Sequence, residues 1–145
     1  MNIRKAEAQD LPTLAELGTQ LWQKHTAAEL AEEFSETILH KDAVFFLAYA
    51  DHIPVGFAQC QLRYDYVEGA GTNPVGYLEG ILVAEQYRKN GIAKALLSAC
   101  ETWAKEQGCR EFASDCELEN TQSLRFHLHT GFTEANRIIC FVKKL

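Results

Sequence analysis

"EGILVAEQYRKNGIAKALL", residues 79–97, carries a strand pattern through a basic turn into a helix pattern. Ile81, Leu82 and Val83 are the apolar run before the turn; Arg88, Lys89, Asn90 and Gly91 make the turn itself. Beyond it Ile92, Leu96, Ala99, Cys100 and Trp103 recur on one helical stripe, which Gly108 closes. A helix start exposes unpaired N–H groups and the positive end of its dipole, so it suits a phosphate. Gly91 lets a ligand approach the backbone closely, and Arg88, Lys89 and Lys94 add positive charge. The spacing is not Gly-x-x-x-x-Gly-Lys-Ser/Thr, which excludes a P-loop. It is not Gly-x-Gly-x-x-Gly either, and it lies late in the chain, which speaks against a dinucleotide fingerprint. On spacing alone, a capped and solvated helix start stands beside the anion site as an equal reading.

Working outward, "VGYLEGILV" reads as a strand whose period of two puts Tyr77, Glu79, Ile81 and Val83 on one face. "DYVEGAGTNP" before it is polar and glycine-rich, a surface loop. "AVFFLAYA" and "VGFAQCQLRY" are strands of a hairpin separated by "DHIP". At the start, "NIRKA" is a strand, and Asp10 is predicted to cap a helix carrying Leu11, Leu14, Leu17 and Leu21, with Pro12 in its first turn. Thr26 and Glu29 form a capping-box pattern ahead of Leu30, Phe34 and Ile38. Downstream, "REFASD" is a strand, and Asn120 caps a helix over "TQSLRFHLHT" that Gly131 stops. "FTEAN" and "RIICFV" are predicted as a final antiparallel pair turning at Asn136-Arg137. The order β-α-α-β-β-β-α-β-α-β-β predicts a mixed α/β sheet flanked by helices.

A chain of 145 residues suggests one domain, residues 1–145, large enough to hold a core without staples. The net charge of −6, with no basic stripe, argues against a general nucleic-acid binder and favours a cationic small molecule or a basic peptide. The five cysteines are odd in number and lack a Cys-x-x-Cys pair, so neither a disulfide framework nor a structural zinc site is expected. The five histidines form no metal pattern. The N-terminus lacks the apolar core of a signal peptide and no stretch is long and apolar enough to span a bilayer, so a cytoplasmic protein with no membrane partner is expected.

"VAEQYRKNGIAKALL" resembles the acetyl-CoA motif of the GNAT N-acetyltransferases, Arg/Gln-x-x-Gly-x-Gly/Ala, here Arg88, Gly91 and Ala93. "ENTQSLRFHLHTGF" resembles the family's second motif through Asn120, Ser123, Phe126, Gly131 and Phe132, and the predicted element order agrees over essentially the whole chain. The resemblance implies two splayed strands, ending near Val83 and near Asp115, with pantetheine between them. It implies that main-chain groups of Ile81, Leu82 and Val83 pair with pantetheine. It further implies that N–H groups across Arg88, Lys89, Asn90, Gly91, Ile92, Ala93 and Lys94 hold the pyrophosphate, that Asn120 meets the pantetheine arm and that Ser123 touches the cofactor tail. "QLW..H", "YDYVEG", "YLEGILV", "SDCELEN" and "LRFH...GF" together resemble the bacterial aminoglycoside 6'-N-acetyltransferases, which implies an aminoglycoside substrate, a role in antibiotic resistance and a homodimer.

Acetyl transfer to an amine needs a neutral nucleophile, a polarised thioester carbonyl and a proton for the departing thiol. Glu79 is the first candidate for the base; its other reading is a buried acid paired to a core donor. Asp115, at the end of the second splayed strand, is a second carboxylate for binding or proton transfer, or a cap of the following turn. His127 stands where the wider superfamily often has a tyrosine proposed as the acid, and a histidine there can donate a proton or simply line the site. The branch resemblance places Trp22 and His25 at the sugar, though Trp22 also suits the core. Tyr66, Glu68 and Asn136 are further candidates for sugar contacts on the same resemblance; the family residue matching Asn136 is often acidic. The chemistry requires no metal. A GNAT enzyme for a polyamine or other small amine, and a CoA-binding module without transfer, remain as alternatives.

Overall fold

The computed structural model describes residues 1–145. Strand β1 (Asn2–Lys5) leads through a single 3-10 turn into helix α1 (Leu11–Leu21), and α2 (Ala27–Thr37) follows. The hairpin β2 (Ala43–Ala50) and β3 (Ile53–Arg63) comes next, then β4 (Val75–Val83), α3 (Ile92–Glu106), β5 (Phe112–Ala113) and α4 (Thr121–His129). The five strands lie in sequence order; β1 to β4 are antiparallel neighbours, and β5 runs parallel to β4. This is the mixed, mostly antiparallel sheet that the sequence predicts.

Local chemistry explains most of the boundaries. The predicted capping box forms: Thr26 Oγ1 accepts from the Glu29 N–H at 3.1 Å, and Glu29 Oε1 accepts from the Thr26 N–H at 3.0 Å. The β2–β3 turn is tighter than predicted, since Ala50 already pairs with Ile53 and only Asp51 and His52 turn, both with positive φ. Asp10 does not cap α1. Its carboxylate is drawn back to Arg4, with both oxygens bonded at 2.8 Å, and to the Glu7 N–H at 2.8 Å. A guanidinium fork outcompetes a backbone N–H for a carboxylate. Arg4 and the Glu7 N–H hold this carboxyl below its usual range.

Helices cover both faces of the sheet. On one face α1 and α2 bury Leu14, Leu17, Leu30 and Phe34 against Phe45, Phe57 and Leu82. On the other, α3 buries Ile92, Leu96, Leu97, Cys100 and Trp103 against Val44, Val55, Leu78 and Val83, with Phe126 and Phe132 packed at the margin. Removing this apolar surface from water contributes about 25 cal/mol per Å², which makes the two interfaces the main source of stability.

Strand β4 departs from strict alternation. Gly80 pairs with Gln59 and Leu78 with Cys60, so Glu79 is left without a partner in a β-bulge. The extra residue resets the phase of the strand. Ile81 and Val83 pack on the α3 side, as Leu78 does, whereas Leu82 packs on the α1 and α2 side. The predicted common face of Tyr77, Glu79, Ile81 and Val83 is therefore broken after Glu79.

The strand predicted over "REFASD" shrinks to Phe112–Ala113, paired with Gly76 and Tyr77, and then leaves β4. The two predicted C-terminal strands are not formed: residues 133–145 carry no regular structure. Ile138, Ile139, Phe141 and Val142 are exposed at 69%, 79%, 91% and 96%. A strand needs a partner for its backbone groups, and that segment is paired with none in the single chain.

Candidate active site

Because β4 and β5 pair over two residues only, the rest of β4 has no neighbour on that side. This parting is the splay that the family resemblance implies. At its end α3 begins with Gly91 at φ +78°, and no side chain caps the helix. The Ala95 N–H makes the first turn's bond, to the Gly91 carbonyl, so the Ile92, Ala93 and Lys94 N–H groups lie ahead of any intrahelical partner. A Cβ built at Gly91 meets nothing within 4 Å. These free donors and this open space fit the pyrophosphate of acetyl-CoA. Lys89, also at positive φ, adds a cation to the turn.

Other members of the predicted cofactor set are already engaged. The Arg88 side chain turns back to the Val83 carbonyl at 2.8 Å, and its N–H bonds the Glu85 carbonyl at 3.2 Å. Arg88 therefore closes the end of β4 and does not project toward a phosphate. Asn90 Nδ2 is bonded within the turn, to the carbonyls of Tyr87 and Arg88. Asn120 caps α4, its Oδ1 accepting from the Ser123 N–H at 3.0 Å, which leaves its amide donors for another partner. Ile81 and Leu82 lie on the parted length of β4.

A cleft of about 730 Å³ lies at the end of the sheet, lined by Arg63, Tyr66, Glu68, Tyr77, Asp115 and Asn136 among others. Six carboxylates, Glu68, Glu101, Glu111, Asp115, Glu117 and Glu134, open onto it, so a polycation fits its charge. Tyr66 donates to Glu68, and Asn136 Nδ2 donates to the same carboxylate at 2.6 Å. The glycine-rich loop is thereby tied to the C-terminal segment. The Tyr66 and Asn136 donors hold the Glu68 carboxyl below its usual range.

The two candidate carboxylates are joined by residues that sequence reasoning did not select. Arg63 Nη2 donates to Glu79 Oε1 at 2.8 Å, and Arg63 Nε donates to Oε2 at 3.1 Å. The same guanidinium lies 3.4 Å from the Tyr77 ring centroid, and the Tyr77 hydroxyl donates to Asp115. Burial, then the Asp115 bond, pushes the Tyr77 hydroxyl up, so it stays protonated as a donor. The signal was available in the hairpin register: Arg63 pairs with Val75, which makes Tyr77 its diagonal neighbour.

His127 is held at both nitrogens. Nδ1 lies 2.6 Å from the Ser123 carbonyl, and Nε2 lies 2.7 Å from Ser114 Oγ. The carbonyl can only accept, so Nδ1 carries a proton, and a proton leaving through Nε2 passes by way of Ser114. Trp22 and His25 do not line the cleft. Trp22 ends α1 and packs on Phe34 and Phe57, at 5.9 Å between centroids in both cases. Its ring also abuts Gly80, beside Glu79. His25 is exposed, its N–H bonded to the Trp22 carbonyl. No group of three or more His, Cys, Asp and Glu side chains is arranged to hold a metal ion.

The pattern of the Acetyltransferase (GNAT) family matches residues 8–132. An aminoglycoside N(6')-acetyltransferase type 1 of Salmonella typhimurium is 41% identical over 99% of this chain and 99% of its own length. The chain belongs to the GNAT aminoglycoside 6'-N-acetyltransferases. The corresponding enzyme of Acinetobacter haemolyticus is 39% identical to this acetyltransferase over 100% of the chain and 99% of its own length. A solved aminoglycoside acetyltransferase in complex with the bisubstrate analogue CoA-S-monomethyl-acetylneamine is 37% identical, with a TM-score of 0.94 over 99% of this chain and 98% of that one.

Proposed function

We propose that this acetyltransferase works by direct attack of the substrate amine on the acetyl-CoA thioester in a ternary complex, as one GNAT domain spanning residues 1–145. Its reaction is acetyl-CoA-dependent acetylation of the 6'-amino group of aminoglycosides, the modification that gives antibiotic resistance. One observation supports this mechanism above the others: at the parting of β4 from β5 an acidic cleft is lined by Asp115 and Arg63, and Arg63 carries Glu79 directly behind it.

The Ile92, Ala93 and Lys94 N–H groups bind the cofactor's pyrophosphate. Glu68 and Asp115 hold cationic groups of the sugar, and Tyr66 offers its ring. Glu79 takes a proton from the 6'-ammonium, directly or through water. The freed nitrogen lone pair then attacks the acetyl carbon. The tetrahedral intermediate collapses, the carbon–sulfur bond breaks and the electron pair leaves on the CoA thiolate. A thiolate is a stable leaving group near neutral pH, so solvent suffices to reprotonate it. No acyl-enzyme is involved: Cys60, Cys100 and Cys109 are buried, and exposed Cys116 and Cys140 have no hydrogen-bonded base.

The C-terminal segment supports a homodimer. Its exposed apolar residues beyond Arg137 and the short edge strand β5 are complementary needs, and a second copy answers both by strand addition. The acetyltransferase is expected to act in the cytoplasm, where acetyl-CoA is available.

A matched pair of aminoglycosides, one with a 6'-amine and one with a 6'-hydroxyl, tests the function. Acetyl-CoA turnover with the amine alone is expected. Turnover of both indicates another acetylation position, and CoA binding without turnover indicates a non-catalytic module. For the mechanism, Glu79→Gln is expected to lower kcat by about 10²-fold or more while preserving CoA affinity; wild-type turnover would overturn Glu79 as base.

A further inference from the structure

We infer that Arg63 is a positioning residue for acetyl transfer: it fixes the orientation of Glu79 and, through Tyr77, joins the site's two carboxylates into one unit. This rests on the reading of Glu79 as the base. The connection runs without a gap from Glu79 to the Arg63 fork, from the face of the guanidinium to the Tyr77 ring, and from the Tyr77 hydroxyl to Asp115. It crosses the parting between β4 and the end of β5, where the substrate amine and the thioester must meet.

Three observations favour a role in the reaction over a role in holding the fold. First, the Arg63 and Glu79 side chains are 41% and 20% exposed. A pair this accessible to water contributes modestly to stability, even as a bidentate fork, so its place at the cleft is the more telling feature. Second, Arg63 lines the cleft and Glu79 does not, so the guanidinium stands between the carboxylate and the substrate space. Third, Glu79 is the unpaired residue of a β-bulge, whose backbone is not held in register at that point. Its side chain has no other hydrogen-bond partner, so Arg63 alone orients it.

The charges balance in a useful way. Two carboxylates and one guanidinium, with neutral Tyr77, leave a single negative charge to face a single ammonium. Without Arg63 the two carboxylates share the site unscreened, and no guanidinium charge opposes proton uptake there. The titratable groups around Glu79 are Arg63 and Cys60 on β3, Tyr77 on β4 and Asp115 after β5. α1 reaches this part of β4 with Leu21 and Trp22, which do not titrate.

The test uses Arg63→Met and Arg63→Lys beside Glu79→Gln in the full-length protein. Arg63→Met removes the fork and the charge. Its kcat is expected to fall by about ten- to a hundredfold, with the acid limb of kcat/KM moved to higher pH and the KM for acetyl-CoA unchanged. Arg63→Lys keeps the charge without the planar fork, so it should restore the acid limb and only part of kcat. An Arg63→Met enzyme with wild-type kcat and an unmoved acid limb overturns the assignment, as does an Arg63→Lys enzyme no better than Arg63→Met. If Glu79→Gln loses turnover while Arg63→Met keeps it, the role of Arg63 falls alone. If Glu79→Gln keeps turnover, the base and its positioning residue fall together.

Discussion

Two glycines of one helix separate ligand binding from backbone strain. Gly91 starts α3 at φ +78° and Gly108 follows its end at φ +93°, and a Cβ at either meets nothing within 4 Å. Valine at either position therefore meets the same obstacle, a left-handed backbone, at about 1–2 kcal/mol. In a chain of this size each kcal/mol lowers Tm by about 2–4 °C, so both variants should lose a similar few degrees. Only Gly91 adjoins the free N–H groups of Ile92, Ala93 and Lys94. Hydrogen bonds to a charged group contribute about 1.5–3 kcal/mol each. Displacing the phosphate from one such bond should weaken CoA by about tenfold to a hundredfold in Gly91→Val and leave Gly108→Val at wild-type affinity. Calorimetric titration with CoA, beside thermal melts of both variants, reads the two effects apart. Equal CoA affinities in the two variants would refute the phosphate cradle, whatever the melts show.

Gly80→Ala places a Cβ 2.7 Å from Trp22 Cζ2 and 3.0 Å from Leu21 Cδ2. Phe34 and Phe57 hold the Trp22 ring, so overpacking should cost about 1–3 kcal/mol and lower kcat through the adjoining bulge, with Trp22→Phe restoring part of the stability in the double variant. Asp10→Asn breaks the charged fork to Arg4 and should cost about 2 kcal/mol in urea unfolding at neutral pH. The folded pKa of Asp10 is lowered, so its contribution is full above the ordinary aspartate range and fades as pH falls below about 4. The difference between wild type and Asp10→Asn should shrink over that acid range, and a constant difference would contradict the pairing. Ile139→Asp with Phe141→Asp should convert a dimer to a monomer in light scattering, since both residues are exposed in the single chain; an unchanged mass would refute the arm-mediated dimer.

The parts of the fold that were legible are those settled within a few residues. The α2 capping box closes over Thr26 to Glu29, and the buried stripe of α3 follows directly from its sequence. Asp10 was misread because its strongest partner, Arg4, lies on the preceding strand. The terminal strands were misread because alternation reports a preference for pairing and says nothing about whether a partner exists in the same chain. In the site, Glu79 and Asp115 were selected from their places on and just beyond the two parted strands. Arg63 was missed because its meaning depends on the register of β3 against β4 across a long loop. Arg88 was assigned to a phosphate from its charge, whereas its nearest acceptor is the carbonyl that ends β4.

The bulge at Glu79 gives β4 two reading frames. Gly76 and Leu78 obey one, Ile81 and Val83 the other, and the shift between them occurs at Glu79. Deleting one residue from positions 78–80 would restore a regular ladder with Leu78 and Ile81 two apart, so Ile81 and Val83 would keep the α3 side and Leu82 the α1 side. What would be lost is the bulge itself, and with it the place of Glu79 outside the ladder. The strand should therefore tolerate substitution at many sites but no change in length. A family built on it would drift in side chains while holding its residue count through this point, and it would take insertions instead in the loop from Tyr64 to Pro74, where no register depends on the count.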